Sequence, residues 1–134
     1  MSDFPVTLRG ATTAIITPFL DGAVDLKALE GFVQAEIDDE IDGLVPCGTT
    51  GEAATLSPDE QSEVIRTVVR QARRRVPVIA GAGSNSTRGA IESSRMARDA
   101  GADALLHVTP YYNKPTPDGL VAHYQAVATA AAIP

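Results

Sequence analysis

The 134-residue sequence contains one cysteine, Cys47, two lysines, Lys27 and Lys114, and only three tyrosines. A single cysteine excludes an internal disulfide, and such usage is the pattern of an intracellular chain. A formal charge of −6 leaves no basic stripe for neutralising phosphates, which excludes nucleic acid as a partner. The one basic cluster, Arg73-Arg74-Arg75, closes a predicted helix, where cations complement the exposed carbonyls. No apolar run approaches the length needed to span a bilayer, and no charged n-region followed by an apolar h-region opens the chain. The expectation is a cytoplasmic protein with no membrane contact.

What the sequence does hold is an ordinary globular balance, with 44% hydrophobic and 21% charged residues. Short β-rich apolar runs alternate with amphipathic stretches. The runs are Thr13–Thr17, Gly43–Cys47, Val78–Gly81 and Ala104–Val108. Leu26, Leu29, Val33 and Ile37 line one face of a first helix. Ser57-Pro58-Asp59-Glu60 opens a second with an N-cap serine, a proline at the first position and a glutamate completing a capping box. Val64, Val68 and Ala72 form its buried stripe. A third runs from about Thr87 to Ala100 and stops on Gly101, a natural left-handed cap. A fourth follows Pro117-Asp118, with Leu120, Tyr124, Val127 and Ala131 on one side.

Four strand–loop–helix units imply parallel strands with right-handed crossovers. An open doubly wound sheet fits, and so does the first half of a (β/α)8 barrel, a fold of about 250 residues. The third strand is reached through Val76-Pro77-Val78-Ile79, and the chain stops on Ile133-Pro134 in the same style. The chain is expected to stop at the threshold of a fifth strand, and on the barrel reading residues 1–134 form the amino-terminal half of a single domain.

In parallel α/β folds chemistry gathers at the carboxyl ends of the strands. The loop after the second strand is Gly48-Thr49-Thr50-Gly51-Glu52. Its glycines let backbone approach a ligand, successive N–H groups make an anion-binding concavity, and threonine hydroxyls can relay a proton. It lacks the Gly-Lys-Thr of a nucleotide loop, so a small carboxylate is the expected ligand. The loop after the fourth strand sets Tyr111 beside Tyr112 in Thr109-Pro110-Tyr111-Tyr112-Asn113-Lys114-Pro115. A phenol lined up with another hydroxyl can pass a proton, and a tyrosine can equally pack at an oligomer contact. Glu52, just ahead of a helix, reads as dipole compensation, His107 and His123 as structural, and Cys47 as a small buried hydrophobe. No metal, nucleotide or other cofactor site is indicated.

In their order and spacing, Gly48-Thr49-Thr50-Gly51-Glu52, Gly81-Ala82-Gly83-Ser84-Asn85 and Thr109-Pro110-Tyr111-Tyr112-Asn113 resemble the dihydrodipicolinate (4-hydroxy-tetrahydrodipicolinate) synthase family of class I pyruvate-dependent aldolases. The likeness extends from Thr12-Thr13-Ala14 and Thr17-Pro18-Phe19 to Ile133-Pro134. It implies a (β/α)8 TIM barrel in which pyruvate forms a Schiff base with a lysine. The enamine then attacks L-aspartate 4-semialdehyde on the path to diaminopimelate and lysine, in a homotetramer of tight dimers.

Carried over by resemblance, the Thr49 and Thr50 amides hold the pyruvate carboxylate. The Thr49 hydroxyl shares a proton relay with Tyr112, which reaches into the neighbouring subunit, and Tyr111 lies at the tight-dimer interface. Asn85, Ala54 and Tyr111 match positions lining the family's lysine feedback site. Pro58, Gln61 and Gly89 stand where strongly inhibited relatives carry histidines and an acid, so lysine inhibition is expected to be weak or absent. The Schiff-base lysine of the resemblance falls beyond Pro134. Neither Lys27 nor Lys114 has the desolvated, strand-borne setting that activates an amine. The chain alone is therefore expected to be inactive. The alternatives are another pyruvate-dependent aldolase of keto-deoxy sugar acid or sialic acid type, and a non-catalytic half-barrel serving as a binding or assembly module.

Overall fold

The computed structural model describes residues 8–134. In chain order the elements are β1 (Thr12–Ala14), β2 (Phe19–Leu20), β3 (Ala23–Val24), α1 (Leu26–Asp38), β4 (Gly43–Val45), α2 (Pro58–Ala72), β5 (Ile79–Gly81), α3 (Thr87–Asp99), β6 (Ala104–Leu106) and α4 (Pro117–Ala131). The four expected strands and four helices are present, each strand shorter than its apolar run. The sequence reading missed the β2–β3 hairpin, although its Asp21-Gly22 turn, with both residues at positive φ, is a strong short-range hairpin signal.

β1 pairs in parallel with β4, Thr12 opposite Gly43 and Ala14 opposite Val45. β5 pairs in parallel with β6, Ile79 opposite Ala104 and Gly81 opposite Leu106. A parallel bridge between Leu44 and Val78 joins the two pairs, with Leu44 N donating to Pro77 O at 3.0 Å and Gly81 N to Pro46 O at 2.9 Å. The spatial order is thus β1-β4-β5-β6, the order of the chain. The helices follow suit, α1 packing on α2, α2 on α3 and α3 on α4. A doubly wound sheet reverses its strand order at a switch point and carries helices on both faces. Here the strands run in sequence under one helical layer, as in the first four β/α units of a (β/α)8 barrel.

Helix ends follow the chemistry of their caps. The Ser57 hydroxyl accepts from Glu60 N at 3.2 Å and Ser57 N donates to Glu60 Oε2 at 2.7 Å, completing the capping box. Arg75 turns back over the end of α2, its guanidinium donating to Gln71 O at 2.7 Å and Ala72 O at 3.1 Å. Gly101, at φ +99°, follows α3.

The main core lies between sheet and helices. Ile15, Leu44, Val78 and Ala80 meet Leu29 and Val33 of α1, Val64, Ile65, Val68 and Ala72 of α2, and Ala97 of α3. Each fully buried aliphatic side chain contributes roughly 1.5–3 kcal/mol. α4 keeps Val127 and Ala131 of its expected stripe buried and Leu120 and Tyr124 partly buried, and it adds a buried His123 that the stripe did not include. The cause is a hydrogen bond between His123 Nδ1 and Thr87 Oγ1 at 2.9 Å, which satisfies one ring nitrogen and admits the imidazole against α3. On the opposite sheet face Val45, Ile79 and Ala104 form a small cluster across three strands. Toward the carboxyl ends Ile16, Leu106 and Val108 are about half exposed.

Candidate active site

The loop after β4 closes as a tight turn. Glu52 N donates to Thr49 O at 3.1 Å, and Ala53 N makes a longer bond of 3.4 Å to Gly48 O. Glu52 sits in the left-handed region and leads into a single 3-10 turn, Ala53–Thr55. These bonds decide where the next amides point. In a planar trans peptide the C=O and the following N–H face opposite ways. With the Gly48 and Thr49 carbonyls tied inward, the Thr49 and Thr50 N–H groups face away from the turn. Both residues are exposed, and among the described residues neither amide is engaged by a protein acceptor.

Three contacts clamp this turn. A Cβ on Gly81 of β5 would lie 2.0 Å from Cys47 O and 3.0 Å from Gly48 N, so only glycine lets the strand pass. A Cβ on Gly51 would meet Ile15 O at 3.0 Å and Cys47 N at 3.2 Å. Thr17, after β1, donates its hydroxyl to Gly51 O at 2.7 Å and is 4% exposed. The sequence reading gave Thr17 no site role, because a threonine in an apolar run looks like any strand residue. The available signal was its place next to Pro18, where the strand leaves the sheet.

The loops after β5 and β6 stand beside the turn. Gly83 packs against the backbone of Val108, with space for no Cβ (2.7 Å to Val108 N). Asn113 Nδ2 donates to Asn85 O at 3.0 Å, tying the two loops together. Asn113 N donates to Tyr111 O at 2.9 Å across Tyr112, whose φ is +69°. That is the strained sense of γ-turn, rare for a bulky residue.

An open cleft of about 520 Å³ gathers Gly48, Thr49, Glu52, Ala54, Gly81, Gly83, Leu106, Val108 and Tyr111. The structure therefore brings Thr49, Ala54 and Tyr111 together. Thr50 stands just outside the cleft, as does Asn85. Tyr112 is also outside it and 93% exposed, so the strained turn displays its ring to solvent and Thr49 and Tyr112 do not meet within one chain. Gln61, also in the cleft wall, donates to Ala53 O at 2.9 Å and braces the 3-10 turn.

The other expected groups occupy structural places. Cys47 is buried, and desolvation pushes its thiol up to about 12, which removes it as a nucleophile near neutral pH. His107 Nε2 lies 3.3 Å from Ser94 Oγ, and burial, with a smaller contribution from nearby His123, lowers its pKa. Lys27 is exposed on α1, and Lys114 is exposed in the loop before α4. Among the described residues no cluster of three metal-ligating side chains occurs, and no helix is long and apolar enough to cross a membrane.

The sequence pattern of the dihydrodipicolinate synthetase family matches residues 7–134. The chain belongs to that family. Similar proteins include the 4-hydroxy-tetrahydrodipicolinate synthase of Maridesulfovibrio salexigens, 57% identical over 129 residues that make up 96% of this chain and 44% of the relative. The synthase of the same name from Geobacter sulfurreducens is 57% identical over 94% of this chain and 43% of its own length. Among solved structures, the dihydrodipicolinate synthase of Aquifex aeolicus superposes with a TM-score of 0.92 at 43% identity, covering 95% of this chain and 43% of that one. The chloride-inhibited enzyme of Acinetobacter baumannii, solved with pyruvate, superposes at 0.93 with 53% identity, covering 96% of this chain and 44% of that one. The chain spans under half the length of these family members.

Proposed function

We propose that residues 1–134 form the amino-terminal half of a single barrel domain in a cytoplasmic, self-associating lyase. That enzyme condenses pyruvate, held as a lysine Schiff base, with L-aspartate 4-semialdehyde to give 4-hydroxy-tetrahydrodipicolinate. The observation that carries this reading is the Gly48–Glu52 turn, with the Thr49 and Thr50 amides facing outward at the carboxyl end of β4. Two adjacent N–H donors on a rigid turn suit a small carboxylate. The relatives named as this synthase and the Acinetobacter enzyme's complex with pyruvate support that choice of ligand.

In this reading the Thr49 hydroxyl and the Tyr112 phenol relay a proton, Tyr112 serving the neighbouring subunit of a homodimer within a tetramer. The exposed, strained Tyr112 is suited to that service. Tyr111, Asn85 and Ala54 lie at the same interface, beside the family's feedback position. Gln61 has its amide committed to Ala53 O and Gly89 offers no carboxylate, so lysine inhibits the complete enzyme weakly or not at all. A micromolar inhibition constant would overturn that.

Lys27 and Lys114 are both solvated, so this chain carries no activated amine and is inactive by itself. Borohydride reduction with pyruvate, followed by intact mass, tests the assignment. The 134-residue chain should gain no adduct, whereas the chain extended by the carboxyl-terminal segment of its relatives should gain one pyruvate per subunit. A stable adduct on Lys27 or Lys114 would refute the account. Activity of the extended chain on pyruvate with a keto-sugar aldehyde, and none with aspartate semialdehyde, would move it to another aldolase class.

A further inference from the structure

Four polar side chains are buried among the described residues: Thr17, Thr67, Ser94 and His123. Thr67 and Ser94 bond within their own helices, Ser94 also lying 3.3 Å from His107 Nε2, and His123 bonds to the neighbouring helix α3 through Nδ1 alone, its Nε2 having no partner among the described residues. Thr17 differs, because its partner is the carbonyl of Gly51, thirty-four residues away inside the proposed carboxylate grip. The geometry points to Thr17 as a positioning residue for that grip, an assignment that rests on the reading of the loop as a carboxylate site.

Two hydrogen-bonded peptide planes connect the Thr17 hydroxyl to the grip. The Thr17 hydroxyl holds the Gly51 carbonyl at 2.7 Å and so fixes the plane that also carries Glu52 N–H. Glu52 N–H in turn holds the Thr49 carbonyl at 3.1 Å, fixing the plane that carries Thr50 N–H. Thr50 N–H, opposite that carbonyl, is one of the two amides offered to a ligand. One hydroxyl on the β1 segment thereby sets the direction of a donor two planes away. A Cβ on Gly51 would meet Ile15 O at 3.0 Å and Thr17 Oγ1 at 3.3 Å, so the loop lies close against the β1 segment. Among the described residues, Thr17 is the side chain that bonds to the Gly51 carbonyl there. Gly51 is itself buried, so water does not readily replace the lost donor.

The test uses the 15N-labelled chain with T17V, which keeps the shape and removes the hydroxyl, and T17S, which restores it. In the absence of ligand, amide exchange at Glu52 should quicken roughly tenfold in T17V, the loss expected for one buried hydrogen bond. Core amides such as Val68 and Ala80 should not change, and T17S should match the wild type. Pyruvate titration should move the Thr49 and Thr50 amides of the wild type, with an affinity roughly five- to tenfold weaker in T17V and recovered in T17S. Unchanged Glu52 exchange in T17V, or wild-type pyruvate affinity there, overturns the positioning role. Faster exchange in T17V with no pyruvate-induced shifts in the wild type supports the clamp and defeats the carboxylate reading instead. Should T17V not fold, Thr17→Ala carries the same expectation.

Discussion

Replacing Gly81 by alanine places a methyl carbon 2.0 Å from Cys47 O, 2.5 Å from Cys47 C and 3.0 Å from Gly48 N. All three are backbone atoms, so no rotamer change relieves the overlap. An ordinary contact needs about 3.5 Å, so the strand and the Cys47–Gly48 segment must part by roughly 1 Å or more. The Gly81 N to Pro46 O bond resists that parting, at 2.9 Å and one residue ahead of the clash. Overpacking of this kind costs about 3 kcal/mol, the upper part of the usual range, because the backbone has no soft direction. For a chain of this size that is a fall of roughly 10 °C in Tm. A 1 Å displacement of the Thr49 amide would also weaken any ligand that depends on its direction. Gly31→Ala is the internal control: it lies in the middle of α1 with nothing within 4 Å of the added Cβ, and it should stabilise by about 0.5–1 kcal/mol. Thermal unfolding by circular dichroism reads the stability, and amide shifts of Cys47–Thr50 read the loop. A Gly81→Ala chain melting within about 2 °C of wild type, with those amides unmoved, would refute the close-approach argument.

Three other outcomes follow from the structure. His107 has a folded pKa below its ordinary value, so between those two values the unfolded chain binds more protons and stability rises with pH. Its contribution is full above about 6.5 and is lost as the pH falls below that. His107→Gln should flatten the Tm–pH curve in that window, and an unchanged slope would count against it. Tyr112→Gly should raise stability by about 1 kcal/mol by releasing the strained turn, with Tyr112→Phe neutral; urea midpoints at constant m decide it. Ser57→Ala should cost about 1 kcal/mol through loss of the α2 cap, and hydrogen exchange at the first turn of α2 should speed up before the core does.

Much of the fold was legible because the information is local. The capping box at Ser57–Glu60, the stripe Val64–Val68–Ala72 and the cap at Gly101 each depend on residues within a turn or two. The stripe of α4 was legible except for His123, which was missed for the opposite reason. What buries His123 is Thr87, on another helix, and no periodicity in α4 encodes that partner. The β2–β3 hairpin lay within local reach, through Asp21-Gly22, and the strand-first reading passed over it.

The candidate site divides the same way. Composition and order alone placed two glycines and two threonines at a strand's carboxyl end and two adjacent tyrosines at another, because loop chemistry is written in residue types. Tertiary structure settled what those residues can reach. It chose sequential strand order over a doubly wound sheet, put Thr49 with Tyr111 in one cleft and left Tyr112 outside it. It also showed that Gly81 is glycine because Cys47's carbonyl passes within contact of its α-carbon, and that Thr17 holds the loop from thirty-four residues away. Hydrophobic period and capping act over a few residues, and a sequence displays them directly. A steric exclusion or a hydrogen bond between distant segments exists only once the chain has brought them together.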